Sequence, residues 1–186
     1  MIPTLWHYTV NRVSKSDFVY IGFLYDPLLY LSVMIRITIQ EKDFSLEQEI
    51  NLLRSERVDI GAIASFTGLV RDINDGDEVS LLTLEHYPGM TENQLCEIAR
   101  EAETRWPLQA ITIIHRIGTL APGEQIVMVI TASPHRAAAY DANQFIMDYL
   151  KTRATFWKKE TLENRSRWVE SRHSDSEAKD RWKKPA

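Results

Sequence analysis

The sequence predicts an α+β fold built on a largely antiparallel or mixed sheet, and three observations carry that expectation. Alternating apolar positions such as Ile35, Ile37 and Ile39 recur along the chain, the period of a strand with one buried face. Helix-start signatures punctuate them at Ser45 with Gln48, Thr91 with Gln94, and Ser133 with Pro134. The helices and strands intermix without the regular alternation that a doubly wound parallel sheet requires.

Residues 1–33 do not share this patterning. Phe18–Leu24 is apolar apart from Gly22, and residues 28–33 are apolar again, but Asp26 and Pro27 break the run. Neither half reaches the roughly 20 residues that span a bilayer. The segment reads as an N-terminal extension outside the fold, with Met34 as the natural start; a membrane-surface anchor is the alternative. Met34–Gln40 is then a strand, and Leu46, Ile50 and Leu53 line one side of a short helix capped by Ser45. Residues 61–71 form a strand that ends in a polar and basic segment, and residues 72–77, with Asn74 and Gly76, form a turn. Residues 79–87 are the next strand, closed by Pro88 and Gly89. The helix after Thr91 runs to about Trp106 and buries Leu95, Ile98, Ala99 and Ala102.

Residues 110–117 and 125–132 are two strands joined by a turn at Pro122 and Gly123. Ser133 caps the last long helix, with Pro134 in its first position. That helix carries Phe145, Ile146, Tyr149 and Leu150 on one face and ends near Arg153, where Thr155, Phe156 and Trp157 favour a strand. Residues 167–170 form a short strand, and residues 173–186 a polar tail.

Composition bounds the function classes. Of 186 residues, 44% are hydrophobic and 26% charged, which suits one soluble domain with a buried core. A net charge of −4 weighs against a nucleic-acid binder, which carries a basic surplus. A single cysteine, Cys96, excludes an intrachain disulfide and a multi-cysteine zinc site. It falls within a helical pattern and reads as a packing residue in a reducing cytoplasm. His7, His86, His115, His135 and His173 include no pair at helical metal-ligand spacing. Phosphate loop, dinucleotide fingerprint, HExxH motif and nucleophile elbow are all missing.

Two segments and one further arginine carry chemistry. In residues 145–160, FIMDYLKTRATFWKKE, an amphipathic helix passes into a basic, aromatic run with Lys151, Arg153, Lys158 and Lys159. One reading is a solvated helix end whose cations complement the dipole; the other is that lysines on either side of the junction converge on a pocket. At Ser133-Pro134-His135-Arg136, backbone N–H groups and the dipole of a helix start make an anion site to which His135 and Arg136 add donors. The alternative is two solvent-facing first-turn residues. Arg71 is a third candidate anion contact, or an ordinary strand-end arginine. Such a basic cluster in an acidic chain suits a small anionic ligand or an acidic protein tail. Glu85-His86-Tyr87 can be read as an acid/base site, but it sits in a strand and a structural role is the preferred reading.

The strings FTGLVRD, LTLEHYPGMTE, RWPL, IHRIG, SPHR, QFIMDYLKTRATFWKKE and RWVE, in this order, closely resemble the large, catalytic subunit of molybdopterin synthase, the MoaE family, over about residues 34–182. The resemblance implies an α/β-hammerhead-like domain with an additional antiparallel β subdomain, over residues 34–172. It implies a cytoplasmic sulfurtransferase that converts cyclic pyranopterin monophosphate to molybdopterin. The sulfur comes from the C-terminal thiocarboxylate of a small ubiquitin-like subunit and is installed as a dithiolene. Two large subunits would form a homodimer within a heterotetramer, with neither nucleic acid nor membrane as partner. No metal and no other cofactor is implied for this step.

By position, Lys151 and Lys158 match the family's active-site lysines, Lys151 beside the inserted tail and Lys158 for substrate positioning and proton transfer. Arg71, His135 and Arg136 match its anion-binding positions, and Arg172 an arginine contributed across the dimer interface. The chain departs from the family's FTGKVR at Leu69, on the same strand face as Arg71, so local charge is lower there. A non-catalytic scaffold binding a ubiquitin-like tail or an anionic ligand is the competing reading.

Overall fold

The structure, a computed structural model, describes residues 6–12, 18–24, 33–55, 57–169, 177–178 and 181–183. Its central sheet contains β1 (Trp6–Arg12), β2 (Phe18–Leu24), β3 (Met34–Gln40), β4 (Ala62–Leu69), β8 (Ala110–Arg116) and β10 (Gln125–Ser133). The strand order is β1-β2-β3-β8-β10-β4. Only β3 and β8 pair in parallel, from Met34 opposite Ala110 to Gln40 opposite Arg116; the other pairings are antiparallel. The sheet is mixed and the fold α+β, as the intermixed pattern requires.

Strands β8 and β10 are central and buried on both faces, so they read as continuous apolar runs rather than alternating ones. On one face, Ile37, Ile39, Ile111, Ile113 and Val129 pack against the helices α2 (Met90–Arg105) and α3 (Arg136–Arg153), which contribute Leu95, Ile98, Phe145 and Ile146. On the other, Ile114, Met128 and Ile130 meet Phe44 and Leu53, the latter from α1 (Leu46–Arg54). A smaller antiparallel sheet joins β12 (Ser166–Val169), β11 (Phe156–Thr161), β7 (Leu81–His86) and β9 (Gly118–Leu120) in that order. Val70, Leu82, Leu84 and Leu120 form its own apolar cluster. Between β4 and β7, the two-residue strands β5 (Ile73–Asn74) and β6 (Asp77–Glu78) pair across Asp75 and Gly76. Both turn residues have positive φ, 54° and 87°, the geometry of a tight primed hairpin turn.

The helix starts refine the sequence reading. Ser45 does cap α1, its Oγ accepting from the Gln48 N–H at 3.3 Å. The N-cap of α2 lies two residues earlier than Thr91: Gly89, at φ 83°, takes that position and donates its N–H to Glu92 Oε2 at 2.6 Å, the one half of a capping box that a glycine can form. The single Thr91 hydroxyl proton instead lies within reach of the carbonyls of Tyr87 and Thr155, and Gln94 Oε1 accepts from the Thr155 N–H. At α3 the N-cap is His135, not Ser133. Ser133 Oγ accepts from the His135 N–H and donates to Pro107 O, so it braces the turn before the helix.

Two boundaries differ from expectation. Residues 1–33 are expected outside the fold, yet β1 and β2 pair with each other and β2 pairs with β3, Phe18 opposite Ile39 through Phe23 opposite Met34. The apolar run too short for a bilayer has the length of one strand, and β3 would otherwise leave unpaired backbone at the sheet edge. The polar tail contains a 3-10 turn, Arg181–Lys183, from which Trp182 packs edge-on against Trp106 and Phe145. One aromatic anchor is easily hidden by polar neighbours in sequence. Among the described residues, no helix is long and apolar enough to cross a membrane.

Candidate active site

Helix α3 stops at Ala154, whose backbone turns extended (φ −77°, ψ 129°) while its N–H still reaches Leu150 O. Lys151 and Arg153 lie in the last turn, where cations meet the unsatisfied carbonyls and the negative end of the dipole. Two residues later β11 begins, hydrogen-bonded between β7 and β12. Side chains alternate along a strand, so Phe156, Lys158 and Glu160 face one side while Trp157 faces solvent, 45% exposed. The junction expected from the residue types is present, and it sets Lys151 and Lys158 on two walls of one space.

That space is a cavity of about 720 Å³ between the end of β4, the last turns of α3 and the inner face of β11. Leu69, Val70, Met147, Leu150 and Phe156 supply apolar wall, and Lys151, Lys158 and Arg71 supply positive charge. Lys151 is exposed and Lys158 half-buried. Arg71 is held from the side, its Nη2 donating to Asn74 Oδ1 at 2.8 Å. Leu69, 53% exposed, shares this wall with Arg71.

His115 lines the cavity floor, and the sequence reading assigned it nothing. It is fully buried, with Nδ1 donating to the Arg116 carbonyl at 2.7 Å; a carbonyl only accepts, so the proton sits on Nδ1. Burial first, then the positive charge of Lys158 and the neighbouring His86, hold its pKa down to about 3. The ring is therefore neutral at physiological pH. Asn74 and Glu160 also line the cavity and were likewise missed. Glu160 was accessible by alternation, two residues beyond Lys158; Asn74 reads only as a turn residue. Cys96 is a packing residue: burial, helped by Glu92 and Glu97, pushes its thiol up to about 11, far from a reactive thiolate.

The structure thus brings Arg71, Lys151 and Lys158 together. It does not bring His135 and Arg136 to them. Both are exposed at the other end of α3, and helix rise puts Arg136 roughly 22 Å from Lys151. Arg172 lies outside the described residues. Among the described residues, no group of three or more His, Cys, Asp or Glu side chains is arranged to hold a metal ion.

Comparison with known proteins agrees with this architecture. The sequence model of the MoaE protein family matches residues 39–153. The chain is 57% identical over 146 residues to the molybdopterin synthase catalytic subunit of Pseudomonas aeruginosa, covering 78% of this chain and 97% of that protein. It is 54% identical over 147 residues to the Escherichia coli molybdopterin synthase catalytic subunit, covering 79% and 97%. The solved structure of the molybdopterin biosynthesis MoaE protein from Burkholderia ambifaria superposes with a TM-score of 0.68 at 49% identity, over 80% of this chain and 96% of that one. With the family model spanning more than half of the chain and the relatives matched along nearly their whole length, the chain belongs to the MoaE family.

Proposed function

We propose that the chain is the catalytic subunit of a molybdopterin synthase. It takes cyclic pyranopterin monophosphate and transfers sulfur to it from the C-terminal thiocarboxylate of a small ubiquitin-like subunit, forming the dithiolene of molybdopterin. The observation that carries this reading is the convergence of Lys151, Lys158 and Arg71 on one cavity with apolar walls. A thiocarboxylate and a phosphate are both anions, and bringing them together in a confined space requires fixed cations. The family resemblance implies that the small subunit's tail ends in two glycines, which have no side chains to obstruct its entry between the walls.

Lys151, at the mouth where α3 ends, holds the thiocarboxylate. Lys158, on the opposing strand, orients the pterin side chain and moves protons as sulfur attacks and charge develops on the displaced oxygen. Arg71 binds the phosphate. His135 and Arg136 stand too far from their own cavity to touch the same ligand, so they serve the cavity of a second copy. That assignment supports a dimer of large subunits inside the assembly with the small subunit.

The test is conversion of cyclic pyranopterin monophosphate by the purified chain with a thiocarboxylated small subunit. Wild type forms dithiolene product, and Lys151→Ala loses at least about a hundredfold in rate. Product from both would move the chemistry away from Lys151. Small-subunit binding without product from wild type would leave a scaffold.

A further inference from the structure

Arg71 does not face the cavity alone. Its Nη2 donates to Asn74 Oδ1 at 2.8 Å, and Asn74 Nδ2 donates to Glu160 Oε1 at 2.7 Å. Arg167 Nε donates to the other oxygen, Glu160 Oε2, at 2.9 Å, while its Nη1 and Nη2 donate to Asp77 Oδ2 and Asn74 O, each at 2.9 Å. Asn74 is 6% exposed and Glu160 likewise 6%.

Donor and acceptor chemistry permits one arrangement of this chain. A guanidinium only donates and a carboxylate only accepts, so the Asn74 amide must turn its oxygen to Arg71 and its nitrogen to Glu160. A buried carboxylate is costly without partners. Here each Glu160 oxygen has its own, and Arg167 also clasps the β5–β6 hairpin through Asn74 O and Asp77. The neutral amide stands between Glu160 and Arg71, which has an electrostatic consequence. A direct Arg71–Glu160 ion pair would cancel the charge the cavity offers to an anion. With Asn74 interposed, Arg71 is oriented without a direct ion pair to a carboxylate among the described residues. Glu160 sits on the same face of β11 as Lys158, so the strand that carries Lys158 also anchors Arg71.

We infer that Asn74 and Glu160, held by Arg167, are positioning residues that aim the Arg71 guanidinium at the anionic group of the substrate and fix its placement relative to Lys158. This rests on the sulfur-transfer reading of the same cavity, and the test separates the two.

Steady-state conversion of cyclic pyranopterin monophosphate is compared for wild type, Arg71→Ala, Asn74→Leu, Glu160→Gln and the double variant Arg71→Ala/Asn74→Leu, each with the thiocarboxylated small subunit. Asn74→Leu should raise KM about tenfold with kcat changed less, the sign of lost substrate binding. Glu160→Gln should behave similarly while keeping its shape, because Asn74 and Arg167 donate to different carboxylate oxygens and the amide NH2 that replaces one of them cannot accept. The double variant should be no worse than Arg71→Ala alone, since Asn74 acts only through Arg71. An unchanged KM in Asn74→Leu, or defects that multiply in the double variant, would overturn the inference. A second readout needs no turnover: nitrogen NMR of the full chain should show slowed rotation of the Arg71 Nη groups in wild type and faster rotation in Asn74→Leu. Equal rotation in both overturns the positioning role. Absence of product from wild type sinks the sulfur-transfer reading, and the NMR comparison then still decides the positioning one.

Discussion

The His115 imidazole lies flat on the Phe156 ring, with centroids 3.6 Å apart and planes 13° from parallel. Phe156 is the first residue of β11, and Lys158 follows on the same face. A buried neutral histidine thus supports the start of the strand that carries one of the cavity's cations. Its place in the packed interior, with Lys158 and His86 adding positive charge nearby, makes protonation unfavourable in the folded state.

This arrangement sets a pH dependence of stability. In the unfolded chain His115 takes up a proton below about pH 6.5. In the fold it resists until about pH 3. Its contribution is therefore complete above the unfolded value and is lost as pH falls through the window down to the folded value, with a slope of up to about 1.4 kcal/mol per pH unit. Urea unfolding at pH 6.5 and 4.5 should show wild type losing roughly 2 kcal/mol more than His115→Gln, which cannot titrate. Parallel losses in the two proteins would mean that the ring is protonated inside the fold.

The separation of Arg136 from Lys151 along α3 yields a complementation test. Lys151→Ala and Arg136→Ala chains should each be inactive alone. In the proposed dimer, a mixed pair leaves one cavity with both defects and one with neither, so co-expressed chains should recover activity at about a quarter to a half of wild type if sites act independently. If both residues served the cavity of their own chain, every site in the mixture would carry a defect and no activity would return.

The parts of this site that were legible in sequence are those written in local residue types. Cations followed by Thr155, Phe156 and Trp157 mark the helix-to-strand junction, and Lys151 and Lys158 stand on either side of it. Arg71 was legible as the basic end of an apolar strand. What was hidden depends on distant partners. Asn74 and Glu160 are 86 residues apart, and no local pattern pairs them. Thr91 looked like a cap because its alternative partner, the Thr155 carbonyl, comes from the distant junction between α3 and β11. The N-terminal strands were missed for a related reason: whether a short apolar run is a strand depends on an edge to pair with, and β3 provides it.

Leu69 offers a gain-of-function test. It lies 53% exposed on the cavity wall beside Arg71. Leu69→Lys adds a cation beside Arg71, where we place the substrate's anion. The KM for cyclic pyranopterin monophosphate should fall about threefold at low ionic strength, and the advantage should shrink in high salt because an exposed charge is screened. An effect that persists unchanged in high salt would point to shape rather than charge.

Trp182 tests whether the tail belongs to the folded unit. Its indole meets Trp106 at 5.7 Å and 90° and Phe145 at 5.6 Å and 78°, and its Nε1 donates to Asp148 Oδ2 at 2.8 Å. The Arg105 Nη1 donates to its backbone carbonyl, and Arg181 pairs with the same Asp148. These contacts fall on the same aromatic cluster that joins α2 to α3, so the tail clamps two helices whose packing also places Lys151. Trp182→Ala should cost about 2 kcal/mol in urea unfolding, less than a fully buried tryptophan because the residue is only partly buried. Trp182→Phe keeps the ring contacts and loses the donor to Asp148, and should cost about 1 kcal/mol. The ordering of the two losses separates ring packing from the hydrogen bond, and wild-type stability in both would place the tail outside the cooperative fold.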